Sequence, residues 1–314
     1  FDFINGFHDT ANAIATSVST RAIKPAHAII MAAFLNFIGA IYSTGVAKTI
    51  GGDIVASAEM VDEHIIIAAL VGSIIWNLFT WYVAMPSTSS HALVGGIIGA
   101  VLVSTGSTGL NLIGIGKIVL SLIASPLLAI FSGFLVMTLL FFLFGRFAPS
   151  ALNGRFKKMQ ILSAAAMAFS HGSNDAQKSM GIITLALLSG GYISSFEVPD
   201  YVKFLCAAAM ACGTALGGWR IIRTIGGKIF KLEPISGFAA DLNSSIVIFS
   251  ATLLHLPVST THVVSGSIMG VGTAKRIRAV RWGVAQQMLA AWVLTIPCTA
   301  VMGALAYQLV LWIF

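Results

Sequence analysis

Two aspartates lie inside apolar stretches of the sequence and are the residues best placed to do chemistry. Asp9 and Asp175 are each flanked by long runs of apolar residues, where an ionised carboxylate costs about 3 kcal/mol unless it is compensated. A carboxylate repels anions but ligates a hard cation, with amide, hydroxyl and backbone oxygens completing the shell. The predicted sodium ligands are Asp9, Asn12, Asn174 and Asp175.

The sequence also allows two other roles for the aspartates. Each carboxyl group could titrate and carry a proton instead of ligating sodium. Asp175 could also pair with Lys178, one helical turn away, for a structural purpose. Gly6 and Gly172 each precede an aspartate by one turn and are predicted to let the helix unwind there.

Two runs of hydroxyl residues follow prolines and are the second chemical signal. Thr88–Ser90 follows Pro86, and Ser259–Thr261 follows Pro257. The proline ends one helix and the hydroxyl residues can cap the next, whose free N–H groups and positive dipole favour an anion. Alternatively, the hydroxyls only cap helices or bond to neighbouring helices. The predicted anion ligands are Thr88, Ser89, Ser90, Ser259, Thr260, Thr261 and Gln177.

The helix after the first hydroxyl run is too short to cross a membrane. The helical pattern His91–Ser104 covers about 21 Å at 1.5 Å per residue, against about 30 Å for a hydrocarbon core. We therefore predict two re-entrant helical hairpins. Their tips, near residues 86–91 and 257–262, are expected to meet from opposite faces of the membrane.

The same motifs occur in the same order in both halves of the chain. Asp9 and Asp175 lie 166 residues apart, and Pro86 and Pro257 lie 171 apart. Such internal similarity predicts two structural repeats with broken helices. The predicted domains are an N-terminal repeat at 1–150, a cytoplasmic linker at 151–159 and a C-terminal repeat at 160–314.

Composition indicates that the chain folds in lipid. Of its 314 residues, 57% are hydrophobic and 9% are charged, against roughly 25% charged in a typical soluble domain. Apolar runs of about 20 residues, the length that crosses a bilayer, recur along the chain. A water-soluble domain is therefore excluded, and we predict an all-α, multi-pass integral protein of the cell membrane.

The charged residues predict a membrane orientation. The net charge is +7, but the basic residues are distributed over short loops and form no single basic face. We therefore expect no nucleic-acid partner. If the hairpins do not cross, every basic residue is cytoplasmic except Lys48, Lys117, Lys203 and the intramembrane Lys178. The second half is then inserted upside down relative to the first, as an inverted repeat. The chain begins at Phe1 in an apolar stretch without a basic segment or cleavage site, so we expect no signal peptide and further residues upstream.

The two aspartate motifs resemble the signature of a known family. Residues 6–13, Gly-Phe-His-Asp-Thr-Ala-Asn-Ala, look like the GANDVANA element of the inorganic phosphate transporter (PiT) family. Residues 171–178, His-Gly-Ser-Asn-Asp-Ala-Gln-Lys, look like its second copy, in the form found in prokaryotic members. The resemblance covers essentially the whole chain. It implies symport of phosphate with sodium or protons, twelve membrane segments if hairpin halves are counted singly, and aspartates required for transport. His8 departs from the asparagine usual in the family.

We therefore expect the chain to import inorganic phosphate in symport with sodium by alternating access. Hydroxyls do not separate phosphate from sulfate, so a sulfate symporter is one alternative. Titration of the aspartates would instead give a proton-coupled phosphate or metal-phosphate symporter, and opposed helix N-termini would also suit an anion channel. No nucleophile–base pair or metal triad accompanies the pocket, so we expect no enzyme. We expect no cofactor other than co-transported sodium ions. The expected partners are phosphate, sodium or a proton, the lipid bilayer and, in a homodimer, a second copy of the chain.

Overall fold

The structure is a computed structural model that describes residues 1–85, 87–216 and 219–313, without the side chains of residues 10, 11, 149–151, 219–221 and 223. The predicted helix break at Pro86 lies outside the described residues. Those that are described form twelve α-helices and three short 3-10 helices, with no β-strand among them. The all-α prediction is therefore confirmed.

Among the described residues, each half of the chain contributes six α-helices. The first half forms α1 (Asp2–Ser19), α2 (Pro25–Tyr42), α3 (Gly45–Asp53), α4 (Glu63–Tyr82), α5 (Ser89–Ser104) and α6 (Leu112–Phe144). The second half forms α7 (Pro149–Ser189), α8 (Asp200–Leu216), α9 (Trp219–Gly227), α10 (Pro234–Leu253), α11 (Thr260–Lys275) and α12 (Trp282–Ile313).

Several helices suit a bilayer in length and composition. Within the described part of the chain, α2, α4, α6 and α12 are long and apolar enough to cross a membrane. Large apolar side chains also cover the outer surface: Phe142 on α6 is 84% exposed and Trp312 on α12 is 85% exposed. Such a surface is unfavourable in water and favourable against lipid tails. The protein is therefore a multi-pass membrane protein, as predicted.

Three pairs of helices have equal or nearly equal lengths in the two halves. Helices α4 and α10 both have 20 residues, and α5 and α11 both have 16. The long helices α6 and α12, with 33 and 32 residues, each contain one proline, at Pro126 and Pro297. The halves are interlocked, because α5 packs against α12 and α11 packs against α6. Helices α5 and α11 are therefore each held by a long helix of the other half.

Residues 151–159, predicted to be a linker, are helical. They form early turns of α7, a single helix of 41 residues. Phe156 explains this extension, because its buried ring lies 5.4 Å from the ring of Phe144 and 5.5 Å from that of Phe238. Aromatic packing of this kind fixes the turn against α6 and α10.

The predicted unwinding at the two signature glycines is wrong. Helix α1 continues through Gly6, and α7 continues through Gly172. A Cβ at Gly6 would overlap the carbonyl oxygen of Met210, and one at Gly172 would overlap that of Asn36. The glycines therefore allow close packing, of α1 on α8 and of α7 on α2, and leave the helices intact.

Candidate functional site

The two hydroxyl runs meet inside the protein. Thr88 and Ser259 are both buried, and the hydroxyl of Ser259 donates a hydrogen bond of 2.8 Å to that of Thr88. The Ser90 hydroxyl donates to the backbone carbonyl of Val258 at 3.2 Å. The segments that precede α5 and α11 are therefore in direct contact, as the sequence predicted.

The helix-capping prediction holds for one run only. Ser259 is the N-cap of α11, and its side chain accepts a hydrogen bond from the backbone N–H of His262 at 3.3 Å. Thr88 occupies the equivalent position before α5 but makes no such capping bond. Its hydroxyl accepts the bond from Ser259 instead.

Asp9 is held by three side chains from different parts of the chain. It lies in the middle of α1 and is 3% exposed. The Ser89 hydroxyl donates to its Oδ2 at 2.8 Å, and the Thr261 hydroxyl donates to its Oδ1 at 3.4 Å. Nδ1 of His8 lies 2.8 Å from the same Oδ1. The Asp9 carboxylate therefore contacts the starts of both α5 and α11.

His8 has a structural role that the sequence left open. Its Nε2 lies 3.3 Å from the hydroxyl of Thr80 near the end of α4, while its Nδ1 contacts Asp9. Asn174, at the matching position of the second half, similarly donates to the hydroxyl of Thr252 at 3.1 Å near the end of α10. Both residues therefore link a signature motif to the helix before a hydroxyl run.

Asp175 has the corresponding place in the second half. The Thr260 hydroxyl donates to its Oδ2 at 2.9 Å, as Ser89 does to Asp9. Its Oδ1 forms an ion pair with the ammonium group of Lys178. The pairing of Asp175 with Lys178 that the sequence allowed is therefore present, and Asp175 contacts a hydroxyl run as well.

The two predicted asparagine ligands differ in the hydrogen bonding of their side-chain oxygens. Nδ2 of Asn12 donates to the hydroxyl of Thr261 at 2.9 Å, whereas its buried Oδ1 has no hydrogen-bond partner among the described residues. Oδ1 of Asn174 already accepts from the backbone N–H of Val258 at 3.3 Å, and its Nδ2 also reaches the carbonyl of Leu256 at 3.2 Å. Asn174 therefore braces the α10–α11 connection, while Asn12 offers an oxygen to a ligand.

Gln177 lies apart from the hydroxyl runs. Its Oε1 accepts from the backbone N–H groups of Val46 and Ala47, at 2.7 and 3.2 Å, in the first turn of α3. Its Nε2 donates to the carbonyl of Ser173 at 2.5 Å. The structure thus places this amide where it satisfies free N–H groups of a helix start, a capping position that sequence spacing did not reveal.

One site residue was missed by the sequence predictions. One nitrogen of His171 and one carboxylate oxygen from each of Asp9 and Asp175 all lie within 4.8 Å of one another. Nε2 of His171 is 3.3 Å from Oδ2 of Asp175, and its Nδ1 is 3.1 Å from Oδ1 of Asn36. The available signal was its position one turn before Asp175 on the same helix.

The buried charges at this site do not balance. Asp9, Asp175 and Lys178 are each no more than 3% exposed, so water screens them poorly. The two carboxylates bring oxygens within 4.8 Å of each other, a separation at which like charges repel by about 3.5 kcal/mol at an effective dielectric constant of about 20. With neutral imidazoles, Lys178 compensates one carboxylate and leaves one negative charge. A negative charge of this kind is electrostatically favourable for a cation and unfavourable for an anion.

An all-helical fold with a lipid-facing surface and a buried polar centre is that of a polytopic membrane protein, and comparison with known proteins identifies its family. The family model described as "Phosphate transporter family" matches residues 5–153 and 147–303. The chain belongs to this family, as the PiT-like motifs predicted, and it is a transporter and not an enzyme.

Individual relatives agree with this assignment. A Bacillus subtilis (strain 168) protein named "Probable low-affinity inorganic phosphate transporter" is 51% identical over 316 residues, which cover 100% of this chain and 95% of that protein. A protein of the same name from Rhizobium meliloti (strain 1021) is 46% identical, over 98% of this chain and 92% of that protein. A solved structure described as "The sodium-dependent phosphate transporter" has a TM-score of 0.89 and 26% identity, and the match covers 100% of this chain and 96% of that one.

Proposed function

We propose that this protein imports inorganic phosphate in symport with sodium by alternating access. The observation that carries the proposal is the pair of buried carboxylates within 4.8 Å at the contact between the two hydroxyl runs. Family membership supports phosphate as the cargo. The similar solved structure is that of a sodium-dependent phosphate transporter, which supports sodium as the driving ion.

Sodium would bind on the negative charge that Lys178 leaves uncompensated. Asp9 and Asp175 supply carboxylate oxygens, and the unpartnered Oδ1 of Asn12 supplies an amide oxygen. Oxygen ligands of this kind suit a hard monovalent cation. Asn174, the fourth predicted ligand, would act through the α10–α11 connection that it braces, because its oxygen is already bonded.

Phosphate would bind between the starts of α5 and α11. Three hydroxyls, those of Ser89, Thr260 and Thr261, now donate to Asp9 or Asp175. When a cation takes over the carboxylates, these donors can turn to an anion, together with the hydroxyl of Ser90. The free N–H groups of both helix starts add to the attraction. Sodium therefore binds first in the proposed cycle.

Alternating access requires elements that can open the site to each side in turn. We assign this role to the α4–α5 and α10–α11 pairs, as re-entrant hairpins in two repeats of opposite orientation. Helix α4 has the length to cross a membrane, so the assignment rests on its partner α5, whose 16 residues span about 24 Å at 1.5 Å per residue, less than a hydrocarbon core of about 30 Å. The equal lengths of the paired helices and the buried contact between Thr88 and Ser259 support this assignment.

Proton coupling is the second candidate, and the histidines favour it. Nδ1 of His8 is 2.8 Å from Asp9, and Nε2 of His171 is 3.3 Å from Asp175. An imidazole beside a carboxylate can hold a proton that neutralises the same charge as sodium would. Phosphate uptake under separate sodium and proton gradients distinguishes the two coupling ions.

The test is uptake of labelled phosphate into proteoliposomes under an inward sodium gradient and, separately, an inward proton gradient. We expect concentrative uptake with sodium, and its loss in Asp9→Asn and Asp175→Asn. Asp200→Asn is the matched control, because Asp200 is exposed and pairs with Lys203 at the surface, and it should transport normally. Uptake driven by protons alone would mean that the aspartates carry protons and do not ligate sodium. The absence of concentrative uptake with either gradient would refute symport.

A further inference from the structure

We propose that the ammonium group of Lys178 is a built-in cation that occupies one of two equivalent cation sites, so that a single sodium ion is co-transported at the other. The inference rests on the proposed function and specifies the ion stoichiometry of the same site. Asn12 and Lys178 occupy matching positions, each three residues after its signature aspartate.

Both positions reach the corresponding hydroxyl of the other half. Asn12 crosses to the second half and donates to Thr261, the last hydroxyl residue of its run, at 2.9 Å. Lys178 crosses to the first half and donates to Ser90, the last hydroxyl residue of the other run, at 2.5 Å. Lys178 also contacts the aspartate of its own half directly, whereas Asn12 is linked to Asp9 through the Thr261 hydroxyl that both side chains contact. The two halves therefore place related pockets at corresponding positions.

The pocket of the second half is already full. Lys178 is 1% exposed, and its ammonium group donates to Asp175, to the Ser90 hydroxyl and to the carbonyl of Val258 at 2.9 Å. These three acceptors use all three donor hydrogens of an ammonium group. They are a carboxylate, a hydroxyl and a backbone carbonyl, which are also the oxygens that would ligate sodium.

The pocket of the first half lacks a cation. Asn12 carries no charge, and its Oδ1 is buried without a hydrogen-bond partner among the described residues. A buried, unpaired amide oxygen is costly and points to a ligand that completes it. Asp9 and Thr261 lie at the same pocket. This is where the mobile sodium ion belongs.

Exchanging the two residues tests the inference. Lys178→Asn should open the second pocket, so that phosphate uptake rises with the second power of sodium concentration where the parent protein shows the first power. Asn12→Lys should fill the first pocket and make uptake independent of sodium. Lys178→Met removes the charge without supplying an oxygen ligand, so it should not gain a second sodium site.

A binding measurement separates this inference from the proposed function. Thermal unfolding of the purified protein is followed in sodium chloride, with choline chloride at the same ionic strength as the control, because a ligand stabilises the state that binds it. Lys178→Asn should be stabilised by sodium more steeply than the parent protein, and Lys178→Met should not be. This result would support the built-in cation even if parent uptake proved to be driven by protons.

Two results would refute the proposal that Lys178 is a built-in cation. If Lys178→Asn folds and responds to sodium no more steeply than the parent, Lys178 does not occupy a cation pocket. If Lys178→Asn fails to fold, Asn12→Lys decides, since sodium-dependent binding that persists in that variant would refute the assignment of the mobile ion.

Discussion

The buried ion pair between Asp175 and Lys178 makes a quantitative prediction about stability. Both side chains are 1% exposed, so removing one leaves the other charged and buried. Breaking such a pair destabilises a protein by about 3–5 kcal/mol. We expect Lys178→Met to lower the free energy of unfolding by about that amount when sodium is absent, and Asp175→Asn to do the same by leaving the ammonium group unpaired.

The double variant shows whether the cost belongs to the pair. Asp175→Asn combined with Lys178→Met removes both charges, so its destabilisation should fall well below the sum of the two single effects. The assay is reversible unfolding in mixed micelles, followed by tryptophan fluorescence in sodium-free buffer. Asp200→Asn and Lys203→Met provide the matched surface cycle, since the Asp200 side chain is 83% exposed and the pair should couple by less than about 1 kcal/mol. Additive effects at the buried pair would refute the reasoning, because they would mean that the two charges do not stabilise each other.

Three further predictions concern helix packing and the separate roles of individual residues at the site. Gly6→Leu should lower the thermal unfolding midpoint strongly, because its side chain would overlap the backbone of α8, whereas Gly154→Leu has open space and should change it little. Asn174→Leu should lower thermal stability with or without sodium, because it removes the brace on the α10–α11 connection, whereas Asn12→Leu should mainly raise the sodium concentration needed for half-maximal uptake. His8→Asn should retain sodium-driven uptake, because asparagine at the matching position also reaches a helix hydroxyl; loss of that uptake would show that the imidazole itself is required.

Much of the fold could be predicted because lipid restricts the choices. Backbone groups in a bilayer must be paired within a helix, so apolar runs could be read as helices. The motif repeat then predicted which elements correspond, and α4 with α10 and α5 with α11 have identical lengths. The boundary between the halves was harder, since basic residues indicated a loop at 151–159. The packing of Phe156 against two other aromatic rings, which holds this segment against α6 and α10, depends on the tertiary fold and could not be predicted from the basic residues.

The site was predictable where both halves carry the same signal. The aspartates and hydroxyl runs recur at matching positions, and the structure brings them together. Gln177 and His171 have no such matching signal. The contact of Gln177 with α3 and the approach of His171 to Asp9 depend on how helices cross, which residue spacing along one helix does not specify.

Hydrogen bonds at this site suggest how coupling can arise from local chemistry. Ser89 and Thr260 belong to the elements assigned to move, and each is tied to a carboxylate. A cation that neutralises the carboxylates weakens these charge-assisted bonds and frees the same hydroxyls for an anion, so one event removes the electrostatic barrier and supplies the donors. In the proposed symport, linkage requires phosphate to raise the affinity for sodium by the same factor as sodium raises the affinity for phosphate. Because Lys178 is paired with Asp175, the proposal assigns the energetic work of coupling to the pocket at Asp9 and Asn12.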